Sequence, residues 1–466
     1  MDKVSAGTTG NGWEYDYTWN GSGQVTQIIY KVNGVNVLKT VYAYSSGLLQ
    51  TVTTYEYSTS SSSSSSSSGS SWGAPISTSL YTYHSGSDLL RHVITPSIYR
   101  QMVNNGITDP TTASEAQLNA YAQTRYEYDV DGRVSDIYTN GGRYQYQFSY
   151  DSSSHTGGGY NVWKRKTVVT RPQNVREVYY LNAVGEVMLH QVEQLSGGSV
   201  TKTWNTIYQR FENTHARRIL SANDSAIDTV NESLPELVTL STTQGLVTEY
   251  QFNSDGLREY VQVMKGAEPS GSSSSSSSPK VKSKLKSWTY TSHTDSGGSN
   301  TVRPVASETI YRNENSGDSI TTNYAYEWHI GTLQPSKITT TLPPVSTSEN
   351  GTSVSTVTEE HFDSDGYRTT SVDGVGTETT YTYDKAKGGM TQMVQDAGAG
   401  NLNLTTDYEL DLRGRTTREL GPEHEIDLAG TATTIRSASW TYYKDRISEQ
   451  WSFKGYRKSD NSDHVV

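Results

Sequence analysis

The sequence predicts an all-β protein, a spiral or solenoid-like sheet of repeated β-hairpins with one short helix near 110–123, and three observations carry that expectation. A Tyr-x-Tyr-Asp-x-x-Gly template recurs from one end of the chain to the other. Aromatic residues stand two apart, the spacing that puts side chains on one face of a strand. The 34 Tyr and 9 Trp far outnumber the 5 Phe, so the aromatic residues mostly have a polar tip, suited to half-wet surfaces rather than a sealed oily core.

The fullest copy is Arg125 to Ile137. Tyr126 and Tyr128 share one face, Arg125 and Glu127 the other. Asp129 suits the first position of a type I turn, and Gly132 the fourth, where a positive φ is easily adopted. Val134 and Ile137 are three apart, so the return strand needs a bulge or a strong twist to bury both. Upstream, Tyr17-Thr-Trp19-Asn20 through Gly23 fits with Asn for Asp, and Tyr42-Ala-Tyr44 is followed by a shorter turn. Tyr55-Glu-Tyr57 opens a copy that runs into nine serines, Ser60 to Ser68. With its flanks this gives a Ser-rich loop at 58–71, read as a flexible loop, a glycosylated stalk or uncertain sequence. Tyr81-Thr-Tyr83-His84 resumes the pattern. Asp109-Pro110 then opens the helix, with Asp109 as N-cap and Pro110 as its first residue.

Tyr144 to Tyr150 alternates over four aromatics, a strong strand signal. Tyr179 to Val187 is a copy with Leu181 in the second aromatic slot. From Trp204 to Leu240 the motif blurs, and Asn223 to Glu236 reads as a polar connection. The template returns at Tyr250-Gln-Phe252 with Gly256. A second Ser-rich loop at 270–279 leads to Lys280, Lys282, Lys284 and Lys286 on alternate residues, one strand face of positive charge. That face is read first as solvent-facing or as a protected sheet edge, and second as a polyanion site. Tyr324-Ala-Tyr326-Glu-Trp328 follows. The last third holds Phe362-Asp363 with Gly366, Tyr381-Thr-Tyr383-Asp384 with one extra turn residue before Gly388, and Tyr408-Glu-Leu410-Asp411 with Gly414. Trp440-Thr-Tyr442-Tyr443 is read as the last aromatic strand, before a short polar tail.

Tyr-x-Tyr-Asp-x-x-Gly-Arg followed by a β-rich return strand resembles the tyrosine–aspartate (YD) repeat of the rearrangement-hotspot (Rhs) and teneurin-like superfamily. Tyr126 to Arg133 matches in full, and degenerate copies cover most of the chain. The resemblance implies hairpins coiled into one spiral sheet around a cavity, a toxin shell in some members and an adhesion scaffold in cell-surface relatives. Toxin-encasing members have paired Asp-Pro-x-Gly motifs in a self-cleaving segment. This chain has one Asp-Pro, at 109, without the Gly.

The net charge of −11 disfavours nucleic-acid binding by the whole chain. No apolar run approaches ~18 residues, so no membrane span is expected. With no cysteine, neither a disulfide framework nor a thiolate site is available. Glu423, His424, Glu425 and Asp427 form the densest ionisable cluster, read as solvated surface on a polar connector. Asp129-x-Asp131-Gly132, Asn253-x-Asp255-Gly256 and Asp363-x-Asp365-Gly366 resemble the start of a calcium loop but lack its later ligands, so turn chemistry explains them and no metal is assigned. No catalytic motif stands in the right context.

The expectation is a single array over 1–466 and a non-enzymatic, extracellular or cell-surface scaffold without a cofactor. Its partner would be itself or further repeats of a longer parent chain, assembling end to end into a tube or filament. The alternatives are a hollow shell that encapsulates a secreted toxin and a glycan-binding module whose Tyr and Trp rows stack on carbohydrate.

Overall fold

In the computed structural model, residues 3–8, 11–58, 71–268, 280–313, 317–428, 430–444 and 449–466 are described. The protein is all-β. Among the described residues thirty strands join in a single sheet, and each pairs antiparallel with its neighbours along the sheet, from Lys3–Thr8 against Asn11–Trp19 to Glu449–Lys458 against Asp463–Val465. Two small ribbons stand outside it, Ile227–Val230 with Val238–Leu240 and His293–Thr294 with Thr301–Val302. This is the arrangement a chain of hairpins reaches most directly, because short turns bring each strand beside the last before any long loop must close.

The strands Leu48–Ser58 and Ser71–Tyr83 pair with each other. The serine tract between them, and the one at 270–279, lie outside the described residues. The lysine-rich strand Lys282–Tyr290 is not an edge. It runs between Arg258–Lys265 and Val305–Tyr311, and its lysines meet acids and rings of these strands and of Leu246–Phe252, the strand beyond the first of them. Lys282 Nζ lies 2.9 Å from Glu249 and Lys286 Nζ 2.7 Å from Glu308, while Lys284 sits over the Tyr260 ring. Alternate lysines serve here as cross-strand partners.

The helical insertion differs from the expected single helix over 110–123. Asp109 accepts from the backbone N–H of Thr111 and caps only a short 3-10 turn, Pro110–Thr112. The α-helix begins at Glu115, after Ser114, whose side chain and that of Gln117 form a reciprocal capping box, and it ends at Tyr121. A second helix, Pro96–Asn104, precedes it, with Pro96 in the first turn. Together they bury Met102, Leu118 and Ala122 against Leu80 and Ile94.

A larger apolar core lies where the template blurs. Trp163, Val178, Tyr180, Met188, Leu189, Tyr208 and Phe211 pack with Ala226, Leu237, Val238 and Leu240. The stretch 223–236 is polar because it supplies acceptors to buried aromatics. Trp163 Nε1 donates to the Glu232 carbonyl at 3.1 Å, Tyr180 Oη to the Glu232 carboxylate at 2.7 Å, and Tyr208 Oη to the Glu236 carbonyl at 3.0 Å. Buried phenols and indoles need such partners. Burial, then the Glu232 carboxylate, push the Tyr180 phenol far above its ordinary range.

Two further differences concern the last third. Glu423, His424, Glu425 and Asp427 lie on the strand Thr416–Leu428 rather than a connector, so alternation sends His424 to the face opposite Glu423, Glu425 and Asp427. Trp440 and Tyr442 belong to Thr431–Lys444, and instead of a polar tail two more strands follow, Glu449–Lys458 with Trp451 and Phe453, then Asp463–Val465.

Candidate functional site

The template copies are hairpins, and in most of them an Asp or Asn starts the reversal, whereas His84 stands at that position in the Tyr81 copy and Ser45 in the Tyr42 copy. At Asp129 the backbone N–H donates to the Arg133 carbonyl and Gly132 N–H donates back to the Asp129 carbonyl, at 2.8 and 3.0 Å. The carboxylate Oδ1 accepts from Asp131 and Arg133 N–H groups, at 3.0 and 2.9 Å. Asn253, Asp363 and Asp411 repeat this set of bonds with Gly256, Gly366 and Gly414. Asp384 heads a turn one residue longer, with Gly388 N–H donating to its carbonyl at 2.8 Å. Asp373, which no Tyr-x-Tyr precedes, makes the same turn with Gly376. Its Asp-x-x-Gly was the signal available in the sequence. In Asp129, Asp363 and Asp411 Oδ1 accepts the turn N–H groups while Oδ2 faces a cationic side chain, and Asp363 and Asp365 share Lys385, at 2.7 and 2.6 Å.

The second aromatic slot has a constant position. Tyr128 pairs with Val134, and the register shifts between Glu127 and Tyr128, so Ser135 is the extra residue that separates Val134 from Asp136. The same break stands beside Trp19, Tyr44, Tyr83, Phe252, Tyr290, Phe362, Tyr383 and Leu410. A bulge interrupts the ladder and leaves a carbonyl to be satisfied otherwise.

The next hairpin supplies the donor. Tyr44 Oη donates to Val25, Tyr83 to Leu49, Tyr128 to Leu90 and Tyr150 to Val134, at 2.8, 2.9, 2.9 and 2.7 Å. Tyr290, Tyr326 and Tyr443 donate to Arg258, Val305 and Thr416, at 2.8, 2.9 and 3.0 Å. Every acceptor is the carbonyl of the residue paired, at the bulge, with the preceding hairpin's second slot. The phenol therefore works as a strut between successive hairpins, which phenylalanine cannot supply.

Arginine after the turn glycine completes the cassette. Arg133 Nε donates to Asp129 Oδ2 at 2.8 Å, and its guanidinium lies 4.7 Å from the Tyr150 ring centre. Arg415 repeats this with Asp411, at 2.7 Å, and the Tyr443 ring, at 4.0 Å. A planar cation bonds a carboxylate in its plane and covers an aromatic face, holding the strut in place. First-slot residues are less uniform. Tyr250 and Tyr381 meet Ser221 and Ser371 through their hydroxyls at 3.1 and 3.0 Å, whereas Tyr126 and Tyr408 are half-buried. Among second-slot residues without a strut, Phe252 lies under Arg217, Phe362 offers its carbonyl to His329 Nε2 at 2.9 Å, and Tyr383 packs on Tyr367.

One contact joins distant parts of the sheet. Arg413, in the turn of the Asp411 hairpin, donates from Nη2 to Glu56 Oε1 at 2.8 Å, across 357 positions of sequence. Between the strands that flank these residues the sheet takes about twenty steps of roughly 4.8 Å, on the order of 100 Å if flat. The sheet must therefore curve until its two regions touch. Right-handed twist accumulated over many strands supplies such curvature. The pair itself, with Glu56 about half exposed, contributes only ~0–1 kcal/mol, so it marks the meeting rather than causing it.

A cleft of about 530 Å3 lies between Gly158, Asn213, Glu236 and Glu268. Its charged groups are already matched, Arg210 with Glu236 at 2.7 Å and Glu268 with Lys282 at 3.4 Å. Among the described residues no three His, Asp or Glu side chains are arranged to hold a metal ion, and no helix is long and apolar enough to cross a membrane.

No protein-family model matches the chain, and no curated protein matches it. Among solved structures it is similar to TcdB2-TccC3-Cdc42, with 10% identity and a TM-score of 0.32, over 97% of this chain and 23% of that one. It is also similar to TcdB2-TccC3-TEV, with 12% identity and a TM-score of 0.25, over 96% and 27%. For the Photorhabdus luminescens Tc holotoxin pore the identity is 11% and the TM-score 0.19, over 97% and 27%. The chain spans about a quarter of the length of the structures it matches.

Proposed function

We propose that the chain is a non-enzymatic, extracellular or cell-surface scaffold whose hairpins form one curved wall bounding an enclosed space. The observation that carries this reading is the return of the sheet upon itself at Arg413 and Glu56. Residues 1–466 act as a single array, and the repeat positions, Tyr126 to Gly132, Tyr250 to Gly256, Phe362 to Gly366, Tyr381 to Asp384 and Tyr408 to Gly414, turn the chain and brace each hairpin on the last. A wall that curves back within one chain favours part of a hollow shell over a filament grown end to end.

The chain has no cysteine of its own, so Glu56→Cys with Arg413→Cys creates a unique thiol pair. A short bis-maleimide should join them within one chain in high yield, and small-angle scattering of the unmodified protein should show a compact, hollow-centred particle. Scattering from an extended ribbon, together with no intrachain cross-link, would reject the wall.

A further inference from the structure

The helical insertion leaves the sheet after Leu90–Ile94 and returns at Thr124–Tyr128, and these strands pair directly, His92 with Arg125 and Val93 with Thr124. It can therefore lift away without parting a strand from its neighbour. The Gly141 N–H donates to the Ala122 carbonyl at 2.9 Å and Arg100 Nη2 to the Ile76 carbonyl at 3.4 Å along its margins, and beneath its apolar contacts a buried histidine ties it to the sheet. His92, 1% exposed, has Nδ1 2.7 Å from Thr82 Oγ1 and Nε2 2.8 Å from Asn119 Oδ1. An amide oxygen only accepts, so Nε2 carries the proton and Nδ1 accepts from the Thr82 hydroxyl. The ring is neutral and both nitrogens are used.

The charges around it do not welcome another proton. Arg91 lies on the same strand and Arg125 on the next, and both are felt at the imidazole. Glu115, one helical turn before Asn119, is paired to Arg91, and Glu127 lies 3.7 Å from Arg91 and 3.5 Å from Arg125. Burial holds the imidazole below its ordinary range, the two arginines add to the depression, and the Asn119 hydrogen bond and, least of all, the Glu115 carboxylate pull the other way.

We propose that residues 96–122 form an acid-released flap, held shut by neutral His92 and freed when the ring takes a second proton. The incoming proton binds Nδ1, reverses the Thr82 bond and leaves a buried cation beside two guanidinium groups. Opening hydrates that cation and uncovers Leu80 and Ile94. Because the closed state depresses the imidazole, its contribution to closure is complete above about pH 6.5 and is lost as the pH falls below that value.

Hydrogen exchange on the full chain tests this, read as protection factors so that intrinsic pH effects cancel. With the opened imidazole titrating near 6.5 and the closed one depressed, protection over 97–122 should fall by up to about tenfold between pH 7.5 and 5.5, with the 126–139 hairpin unchanged. His92→Gln, which keeps a donor and an acceptor but cannot be protonated, should show no such pH dependence, whatever its absolute protection. Asn119→Asp places a carboxylate beside Nε2 and should retain protection at pH 5.5. Unchanged protection in the natural protein, the same loss in His92→Gln, or an undiminished loss in Asn119→Asp would each overturn the flap.

Discussion

Replacing Tyr128 by Phe removes one hydroxyl and little else, so it isolates the strut between hairpins. The phenol donates to the Leu90 carbonyl at 2.9 Å, at the bulge where Leu90 pairs with Tyr83. A neutral hydrogen bond contributes about 1 kcal/mol, and a stranded carbonyl adds more only where water cannot reach it. Tyr128 is half-buried, so the loss should be ~1–1.5 kcal/mol. Tyr126, two residues earlier on the same face, makes no phenol hydrogen bond among the described residues, and Tyr126→Phe should be nearly neutral. Each hairpin leans mainly on its neighbours, so one global melting curve would average the effect away. Local hydrogen exchange over 90–94 and 124–139 resolves it, with protection about fivefold or more lower in Tyr128→Phe. Equal effects from the two substitutions would show that the ring alone matters and that the strut is incidental.

The two best-matched turn glycines should respond differently to alanine. Gly132 has a positive φ but open space, so Gly132→Ala should cost about 1–2 kcal/mol from backbone strain alone. At Gly414 the new Cβ would also meet the Lys387 carbonyl at 2.1 Å, so Gly414→Ala should loosen the 404–428 hairpin markedly more in hydrogen exchange. Burial holds the His190 imidazole below its ordinary range against the pull of Glu177, with Arg171 adding to the depression. The stability this neutral ring contributes is present above about pH 6.5 and lost as the pH falls below it, so protection over 187–211 should decline toward pH 5.5, and less so in His190→Asn. Arg436 donates to the Gly421, Thr405 and Leu420 carbonyls and pairs with Asp407. It spans the irregularity between Leu420 and Glu423. Arg436→Lys offers one compact ammonium to four acceptors and should destabilise that hairpin by ~2 kcal/mol, seen as local loss of protection.

Much of the hairpin was legible because it is local. Asp129 and Gly132 act within five residues, and the three-residue spacing of Val134 and Ile137 points to the bulge beside Tyr128. The aromatic excess also pointed to polar-tipped rings, but not to their use. That Tyr150 should reach the Val134 carbonyl depends on a partner in another hairpin, which the spacing within one copy does not encode. The helix Pro96–Asn104 is not legible for a similar reason: Met102 alone of its residues is buried, and its apolar pattern is thin. The stretch 223–236 looked like a connector because its polarity serves Trp163, Tyr180 and Tyr208, residues far away in sequence.

The sequence by itself determined where the chain reverses and which residues alternate across each strand, since turn chemistry and the pleat act over a few bonds. Tertiary structure decided how hairpins brace one another, where an apolar core forms and how far the sheet bends. Curvature is the sum of many small twists, and the meeting of Arg413 with Glu56 is fixed only when some twenty strand pairings have added theirs.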